Sequence, residues 1–325
     1  MTVAAWQREL DVALETVGQA AALARDIHQR IGTKAFVKAD RSPATVADFA
    51  VQALVAHRLR EAFPDDPLVA EEDSRPLRTP EGQSILQSVL DVLGGAAPRL
   101  APNQVLEMID RGEEAPGARF WTLDPIDGTK GFVRGGQYVV ALALIVDGCV
   151  QIGLLGCPEL SFGDRQQDVG SLLYAVRNRG AYRLQLAGGE STRLQVSSCG
   201  EPRSARVLRS VETSHLDLKT FDATIWALGV GRAPTLMDSQ AKHAVIAAGQ
   251  ADLLIRIPST RTYRDQIWDH APGTLLIEEA GGRVTDLQGD ALDFNAGRLL
   301  ARNEGVIASN GGLHAAVLEA VRSAR

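Results

Sequence analysis

The feature that most restricts the fold is an apolar segment that leads directly into two carboxylates at a turn, Trp121-Thr-Leu-Asp-Pro-Ile-Asp-Gly-Thr-Lys-Gly-Phe132. Asp124 and Asp127 lie three residues apart, and Gly128 and Thr129 follow at once. Asp-Pro and Asp-Gly are common turn dipeptides, so a turn accounts for part of the pattern. It does not explain why an apolar strand should end in two acids, whereas oxygen ligands for a hard divalent cation would. We therefore expect a strand end that binds metal, with backbone N–H groups and a hydroxyl available to a phosphate.

Three other stretches supply carboxylates from similar contexts. Asp48 lies near a predicted helix start, Glu71 and Glu72 end a predicted strand, and Asp269 follows Trp268 at a second predicted helix start. Because helix starts and strand ends collect at one rim of a sheet, these acids could converge there. Such a cluster would repel itself unless cations filled it, and oxygen-only ligands favour magnesium, manganese or calcium over zinc. Two such ions about 3.5–4 Å apart suit the attack of water on phosphorus.

Each acidic stretch also has a simpler interpretation. Asp48 could stand at the capping-box position of a helix whose N-cap is Thr45. The run Glu71–Asp73 could be a solvated acidic turn, and Asp269 could merely complement a helix dipole. Taken one at a time, these interpretations are as good as metal binding or better. Taken together with the 121–132 motif they are weaker, because they leave the shared acidic character unexplained.

Charge and cysteine content narrow the class of protein. The 325-residue chain has a net charge of −6 and a pI of about 5.6, which argues against a nucleic-acid polymer as partner because phosphate contacts need a basic face. The three cysteines, Cys149, Cys157 and Cys199, lack C-x-x-C spacing, which favours a reduced, cytoplasmic location without a zinc site. We expect neither a signal segment nor a membrane span, since no apolar run is long enough.

The period of the apolar residues predicts the order of elements in the first part of the chain. Residues 4–31 should form a long amphipathic helix ended by Gly32, and a short strand at 36–38 should lead through a polar loop into a helix that ends near Ala62. A strand should begin at Leu68. Residues 74–118, rich in proline and glycine, should form a surface excursion around one helix near 83–93.

From about residue 119 the pattern changes to strands. Asp147-Gly148 and Asn178-Arg-Gly180 predict two hairpins, so the segment up to about residue 185 should be antiparallel sheet. Past residue 200, strands and helices alternate, with predicted helices at 239–249, 268–280 and 311–323 and predicted strands near 205–210, 251–257 and 284–285. We expect an α+β domain at 1–200, carrying most metal ligands, packed on an α/β domain at 201–325, carrying the nucleotide contacts and Asp269.

These acidic stretches resemble the motifs of the lithium-sensitive, magnesium-dependent phosphatase superfamily that includes inositol monophosphatase and fructose-1,6-bisphosphatase. The sequence is most similar to the 3′(2′),5′-bisphosphate nucleotidases, because Lys130-Gly-Phe132 stands where inositol monophosphatases usually carry Thr-Asn-Phe. The resemblance implies a layered α-β-α-β-α sugar-phosphatase-like fold. The strings that carry the resemblance are Lys38-Ala-Asp-Arg-Ser-Pro-Ala-Thr-Val-Ala-Asp48, Val69-Ala-Glu-Glu72, Asp124-Pro-Ile-Asp-Gly-Thr-Lys-Gly-Phe132-Val-Arg-Gly-Gly-Gln-Tyr138, Met237-Asp-Ser-Gln-Ala-Lys242, Ile267-Trp-Asp-His-Ala-Pro-Gly273 and Glu278-Glu-Ala-Gly-Gly282.

The resemblance implies a role for each acidic position. Glu71, Asp124 and the Ile126 carbonyl would hold one Mg²⁺. Asp124, Asp127 and Asp269 would hold a second, and Glu71 would also contact a third, weaker ion, with Mn²⁺ as an alternative metal. The resemblance further implies that Asp48 and Thr129 orient and deprotonate the attacking water.

It also implies where the substrate binds. The N–H groups of Gly128 and Thr129 would meet the scissile phosphate. Ser239, Lys242 and Arg256 would hold a second, 5′-phosphate, and His215 would face the adenine. The alternatives are a helix N-cap for Ser239, solvated surface cations for Lys242 and Arg256, and a surface loop histidine for His215. Tyr263 and Arg264 could line the same pocket.

Two departures from the family pattern bear on these roles. Ala70 replaces the usual glycine before the paired glutamates, and its methyl group should fit if the backbone angles are ordinary. Leu-Asp-Leu follows His215 in place of a polar run, which puts the base contacts in doubt.

The implied activity is Mg²⁺-dependent, lithium-sensitive hydrolysis of the 3′-phosphate of adenosine 3′,5′-bisphosphate to AMP, with a role in sulfur assimilation. The sulfated form of that nucleotide is a further candidate substrate. The partner would be this small nucleotide, with no nucleic acid polymer and no membrane, and the protein would be a monomer or homodimer. The alternatives are an inositol (poly)phosphate phosphatase and, from another class, a catalytically silent nucleotide-binding regulatory protein.

Overall fold

Two sheets form the frame of the protein. The computed structural model describes residues 6–30, 43–95, 100–162 and 170–325. The first sheet has seven strands in sequence order, antiparallel except for the parallel β1–β2 pair. Its strands are β1 (Leu68–Ala70), β2 (Arg119–Asp127), β3 (Val139–Val146), β4 (Cys149–Cys157), β5 (Ser171–Val176), β6 (Gly180–Gln185) and β7 (Thr192–Arg193).

The second sheet is mixed and has the strand order β11-β12-β10-β8-β9. Strand β12 runs antiparallel to both of its neighbours, and the remaining pairs are parallel. Its strands are β8 (Val207–Arg209), β9 (Thr235–Leu236), β10 (Leu253–Arg256), β11 (Arg283–Thr285) and β12 (Val306–Ser309).

Helices cover both faces of each sheet, which gives five layers in the order α-β-α-β-α. Helices α1 to α4 pack on one face of the first sheet, α7 and α8 lie between the sheets, and α6 and α9 cover the outer face of the second sheet. The helices are α1 (Gln7–Arg30), α2 (Pro43–Ala62), α3 (Gln83–Leu93), α4 (Pro102–Asp110), α5 (Thr129–Arg134), α6 (Leu218–Ala227), α7 (Ala241–Ala247), α8 (Ala271–Glu279) and α9 (His314–Ala324).

Strand β3 shows why the layers form. All its residues are apolar, and successive side chains of a strand point to opposite faces. Val140, Leu142 and Leu144 lie in the core under α1 and α2, whereas Ala141 and Ile145 lie in the core that contacts α7 and α8. A strand buried on both faces has no polar side, so a continuous apolar run was the sequence signal for it.

Most of the predicted elements are present. The long first helix, the helix ending at Ala62, the strand from Leu68 and both hairpins are confirmed. At the first hairpin turn Asp147 and Gly148 both have positive φ (50° and 74°), as the Asp-Gly signal requires. The predicted strand at 36–38, the Lys38 loop and Gly32 lie outside the described residues.

Three structural predictions were wrong. The 74–118 segment is not only a surface excursion, because α3 and the unpredicted α4 pack on α2 and bury Val105 and Ile109 in the core. Thr45 is not an N-cap, since α2 already begins at Pro43. Asp269 does not open its helix but stands in the turn before it, because α8 begins at Ala271 after His270 as N-cap.

The predicted division at residue 200 stays a prediction. The two sheets fall on either side of it, yet the helical layer of α7 and α8 packs on both sheets and belongs to one shared core. Within the described ranges, no helix is both long and apolar enough to cross a bilayer.

Candidate active site

An irregularity in strand β2 brings Asp124 and Asp127 to the same face of the first sheet. Two side chains three residues apart in a regular strand would point to opposite faces. Here Asp124 pairs with Ala141 and Asp127 with Val139, so three steps along β2 match two along β3. The extra residue is a bulge, and directly paired residues share a face. Both carboxylates therefore face the middle layer of the protein.

Glu71 and Asp269 reach this point from other elements. Strand β1 runs parallel to β2, so Glu71, directly after Ala70, lies at the same edge as the end of β2. Asp269 belongs to the turn that leads into α8 of the middle layer. Charge coupling shows the convergence, because Glu71, Asp127, Asp269 and Asp48 all act on Asp124. The structure thus brings together acidic side chains from all four stretches that the sequence singled out.

Burial and like charge give this cluster its electrostatic character. Burial, followed by the charge of Glu71, raises the pKa of Asp124 well above its usual range. Burial and the charges of Glu72 and Glu71 raise the pKa of Asp48. Burial also raises the pKa of Asp127, although nearby Lys242 opposes the shift. A set of acids held this way favours any cation that can neutralise it.

The donor atoms fit a hard divalent ion. Asp48 Oδ1 and Asp124 Oδ1 are buried and have no hydrogen-bond partner among the described residues, and an unpaired buried carboxylate oxygen is costly. The Ile126 carbonyl lies in the bulge between the two aspartates and accepts a hydrogen bond from Thr129 Oγ1 at 3.2 Å, which leaves a second lone pair. Oxygen donors of this kind suit Mg²⁺ or Mn²⁺. Among the described residues, no group of three or more His, Cys, Asp or Glu side chains is placed closely enough to hold a metal ion by itself.

Asp48 is not a capping residue. It is the sixth residue of α2 and is 5% exposed. The charge of Glu72 acts on it more strongly than that of Glu71. Burial, followed by the charge of Glu71, raises the pKa of Glu72 itself to about 7. The capping interpretation is therefore wrong, and Asp48 approaches the cluster from the helical layer opposite to Asp269.

A cavity of about 220 Å³ opens from the cluster toward the second sheet. Asp127, Asp269, Lys242 and Arg256 all line it. One cavity therefore combines carboxylates that would bind cations with cations that would bind an anion. Of the predicted substrate residues, Thr129 is not among those that line this cavity, whereas the others are: Gly128, His215, Ser239, Lys242 and Arg256.

Lys242 is not a solvated surface cation. It is 7% exposed, and its Nζ donates to the carbonyls of Ser239 (2.7 Å) and Met237 (3.1 Å). Burial lowers the pKa of Lys242 to about 8, while the charge of Asp127 opposes the shift. Two of the three ammonium donors are used, which leaves one without a partner among the described residues.

Arg256 and Ser239 are likewise held in place. Arg256 Nε donates to Asp265 Oδ1 at 2.7 Å, and its Nη2 lies 3.3 Å from Tyr263 Oη. Ser239 adopts a left-handed conformation (φ 60°), and its Oγ accepts a hydrogen bond from Ala241 N at 3.2 Å. The N-cap of α7 is Gln240, however, so Ser239 is not the helix cap that the alternative interpretation proposed, and it lines the cavity.

His215 stacks on Tyr263 with their ring centroids 5.1 Å apart and their planes 14° apart. His215 reaches the cavity wall, but Tyr263 and Arg264 are not among its lining residues. Arg264 instead donates to backbone carbonyls, including those of Arg261 and Ala301. Asp217, in the departing Leu-Asp-Leu run, caps α6 by accepting from Thr220 N at 3.0 Å.

Two small residues near the site, Gly128 and Ala70, suit the backbone at their positions. Gly128 has φ 90°, and a Cβ built there would lie 2.9 Å from Ser239 Cβ and 3.1 Å from Gln137 O, so only glycine fits without a shift. Ala70 is buried in β1 and is not among the residues with positive φ, so its methyl group is accommodated.

Sequence reasoning missed several residues of the site. His243 and His270 line the cavity and are 2% and 4% exposed, and their ring nitrogens have no hydrogen-bond partner within the described chain. Gln240, 2% exposed, donates its backbone N–H to Asp127 Oδ2 at 2.5 Å. His270 follows Asp269 and Gln240 follows Ser239 inside the quoted motif strings. This proximity to predicted site residues was the only signal in the sequence that could have identified them.

Comparisons with known proteins agree with this geometry. The inositol monophosphatase family matches residues 6–325. The 3′(2′),5′-bisphosphate nucleotidase of Schizosaccharomyces pombe is 39% identical, with 90% of this chain and 88% of that protein covered. That of Oryza sativa is 38% identical, with 97% and 94% covered.

Solved structures show the same fold. An inositol monophosphatase from Zymomonas mobilis has a TM-score of 0.65 at 20% identity and covers 98% of this chain and 99% of its own. CysQ from Bacteroides thetaiotaomicron, a member of the same family, has a TM-score of 0.64 at 22% identity, with 94% and 98% covered. The predicted layered fold class is confirmed by these likenesses.

Proposed function

Because the chain belongs to the inositol monophosphatase family, whose members are metal-dependent phosphatases, we propose that it is a 3′(2′),5′-bisphosphate nucleotidase. It removes the 3′-phosphate of adenosine 3′,5′-bisphosphate and releases AMP. The resemblance noted in the sequence is thereby confirmed at the level of the family. Curated nucleotidases from fungi and plants, similar over nearly the whole chain, support this specific activity.

One observation carries the choice of a bisphosphate. The cavity holds the carboxylates of Asp127 and Asp269 together with the cations of Lys242 and Arg256. A substrate with two phosphates matches both kinds of group, because one phosphate can bind through cations held by the carboxylates and the other can bind Lys242 and Arg256 directly. A substrate with a single phosphate would leave the buried Lys242 ammonium without an anionic partner from the ligand.

Glu71, Asp124, Asp127, Asp269 and the Ile126 carbonyl hold two or three Mg²⁺ ions in this proposal. When bound, Mg²⁺ neutralises charge on the phosphoryl group and acidifies water, which makes hydrolysis feasible near neutral pH. The bulge in β2 presents two of these carboxylates on one face, and the others come from β1 and the turn before α8.

The remaining residues orient and deprotonate the reactants. Asp48, buried on α2 with an unpaired Oδ1, accepts the proton of the attacking water. Thr129, whose hydroxyl contacts the Ile126 carbonyl, helps to orient that water. The N–H groups of Gly128 and Thr129 bind the scissile phosphate. Ser239, Lys242 and Arg256 bind the 5′-phosphate, and His215 faces the adenine.

The test is a phosphate-release panel with and without Mg²⁺. It compares adenosine 3′,5′-bisphosphate, its sulfated form, inositol phosphates and fructose 1,6-bisphosphate at equal concentration. We expect Mg²⁺-dependent release that is fastest with the nucleotide bisphosphates. Faster release from an inositol phosphate would reassign the substrate class. No release from any compound, with nucleotide binding intact, would indicate a silent regulatory protein.

The proposal extends to cellular location and assembly. The three cysteines lack C-x-x-C spacing, which favours a reducing, cytoplasmic location. The partner is the small nucleotide, and the protein is a monomer or a homodimer. Size-exclusion chromatography with light scattering decides between the two states.

A further inference from the structure

Trp268, the residue directly before Asp269, is held from two sides. Its backbone carbonyl accepts a hydrogen bond from Gln240 Nε2 at 2.9 Å. The guanidinium of Arg298 lies over its indole ring, 4.8 Å from the ring centroid. Trp268 is 4% exposed, whereas Arg298 is partly buried. The backbone that presents Asp269 is therefore fixed by two polar side chains from other parts of the chain.

Arg298 also reaches the segment that carries Glu71. Its Nη2 donates to the carbonyl of Ala70, the residue before Glu71, and its Nη1 donates to the carbonyl of Gly112 at 2.7 Å. Ala70 N donates to the same Gly112 carbonyl at 2.9 Å. One guanidinium thus joins the chain just before Glu71 to the residue just before Asp269.

Gln240 makes the corresponding link on the other side of Trp268. Its backbone N–H donates to Asp127 Oδ2 at 2.5 Å, and its Oε1 accepts from Gly273 N at 3.0 Å. Gly273 lies in the first turn of α8, directly after the turn that contains Asp269. Gln240 therefore ties the side chain of Asp127 to the turn that presents Asp269.

The chemistry of Arg298 suits a brace, meaning a side chain that fixes other segments through its contacts, better than a source of positive charge. A guanidinium has a rigid fork of donors that can reach two carbonyls while its face stacks on an aromatic ring. Within the described chain Arg298 has no carboxylate at ion-pair distance, whereas its guanidinium contacts the carbonyls of Ala70 and Gly112 and the Trp268 ring. The charge of Glu113 also acts on Arg298, but Glu113 is not one of the cluster carboxylates, and the direct contacts of Arg298 fix backbone positions.

We propose that Arg298 is a positioning residue which, together with Gln240, fixes the segments that carry Glu71 and Asp269 relative to each other and thereby supports the binding of a divalent cation. The proposal rests on the proposed metal site. Carboxylates from separate segments repel one another, so a site that is assembled before the ion arrives needs such support from outside the cluster.

The position and the charge of Arg298 predict opposite effects on cation binding. If Arg298 acted mainly through its charge, removing it would make the site more negative and tighten the binding of a divalent cation. If it acts as a brace, removing it lets the Glu71 and Asp269 segments move and weakens binding. The sign of the change therefore separates the two roles.

The experiment measures Mn²⁺ binding to the full chain without substrate, from the free Mn²⁺ signal in electron paramagnetic resonance. Circular dichroism first fixes a temperature at which every variant is folded. We expect Arg298→Met, which keeps an apolar stem under Trp268, to bind Mn²⁺ about 10-fold more weakly or worse. Arg298→Lys keeps the charge but not the fork, and Gln240→Met keeps the backbone N–H to Asp127; both should be weakened as well.

Arg119→Met is the matched control. Arg119 also joins separate elements, since it pairs with Asp66 and lies over the rings of Trp6 and Phe63, but it is remote from the acidic cluster. Its replacement should lower the melting temperature and leave Mn²⁺ affinity unchanged. An equal loss of affinity in this control would mean that general destabilisation is responsible, which overturns the brace.

The outcomes separate this inference from the proposed function. Wild-type protein that binds Mn²⁺ while Arg298→Met binds it equally well or more tightly overturns the brace alone. If Arg298→Met does not fold, unchanged Mn²⁺ affinity in both Arg298→Lys and Gln240→Met would likewise overturn the brace alone. Wild-type protein that binds no Mn²⁺ at millimolar concentration overturns the metal site and the brace together.

Discussion

Replacing Lys242 by methionine removes one buried cation from the cavity and keeps an unbranched stem of similar length. Two of its ammonium donors are already bound to the carbonyls of Met237 and Ser239, so one donor remains for a ligand. A hydrogen bond to a charged group contributes about 1.5–3 kcal/mol. Losing it should weaken the substrate that uses it about 10- to 150-fold.

The assay compares kcat/KM for adenosine 3′,5′-bisphosphate with that for adenosine 3′-monophosphate. We expect Lys242→Met to lose the full factor on the bisphosphate and little on the monophosphate, because only the bisphosphate carries the 5′-phosphate. Lys219→Met, at an exposed position of α6, is the control and should change neither value. Equal losses on both substrates would refute the reasoning, since Lys242 would then act through the fold or the acidic cluster.

Three further predictions follow from other parts of the molecule. Gly128→Ala should lower the free energy of unfolding by about 1–3 kcal/mol and reduce turnover, because the added Cβ meets Ser239. Gly135→Ala is the control and should keep turnover, because Gly135 has a similar φ (74°) but faces open space. Wild-type turnover in Gly128→Ala would contradict the steric argument. Li⁺ should inhibit phosphate release at an ionic strength where Na⁺ does not, and equal effects of both ions would count against a site for small cations. Burial lowers the pKa of His314 to about 4, below the unfolded value near 6.5, so the unfolded chain binds the proton first and stability falls as the pH drops through this window. Urea unfolding should show wild type losing about 2 kcal/mol more than His314→Gln between pH 7 and 5, and identical losses would disprove the assignment.

The acidic stretches could be predicted because each lies in a short, contiguous string. Asp124 and Asp127 stand three apart, a spacing that would separate them in a regular strand. Pro125 between them was the local sign of the bulge that restores them to one face. Strand β3 was equally clear, since a strand buried on both faces must be continuously apolar.

Residues that act through distant contacts could not be predicted in this way. Arg298 contacts Ala70 across 228 positions, and no local pattern distinguishes it from a surface arginine. Helix α4 was missed because its apolar residues Val105 and Ile109 lie among proline and glycine, which usually indicate loops. The burial of Lys242 likewise depends on packing between α7 and its neighbours and not on its own sequence neighbourhood.

The central claim is that Glu71, Asp124, Asp127 and Asp269 meet around divalent cations. Anomalous diffraction from crystals soaked in Mn²⁺ tests it most directly, because it locates each ion without reference to activity. The account predicts two or three manganese peaks bounded by these side chains and the Ile126 carbonyl, and their loss or marked weakening in Asp124→Asn. Manganese bound only elsewhere, or peaks of equal height in Asp124→Asn, would contradict it.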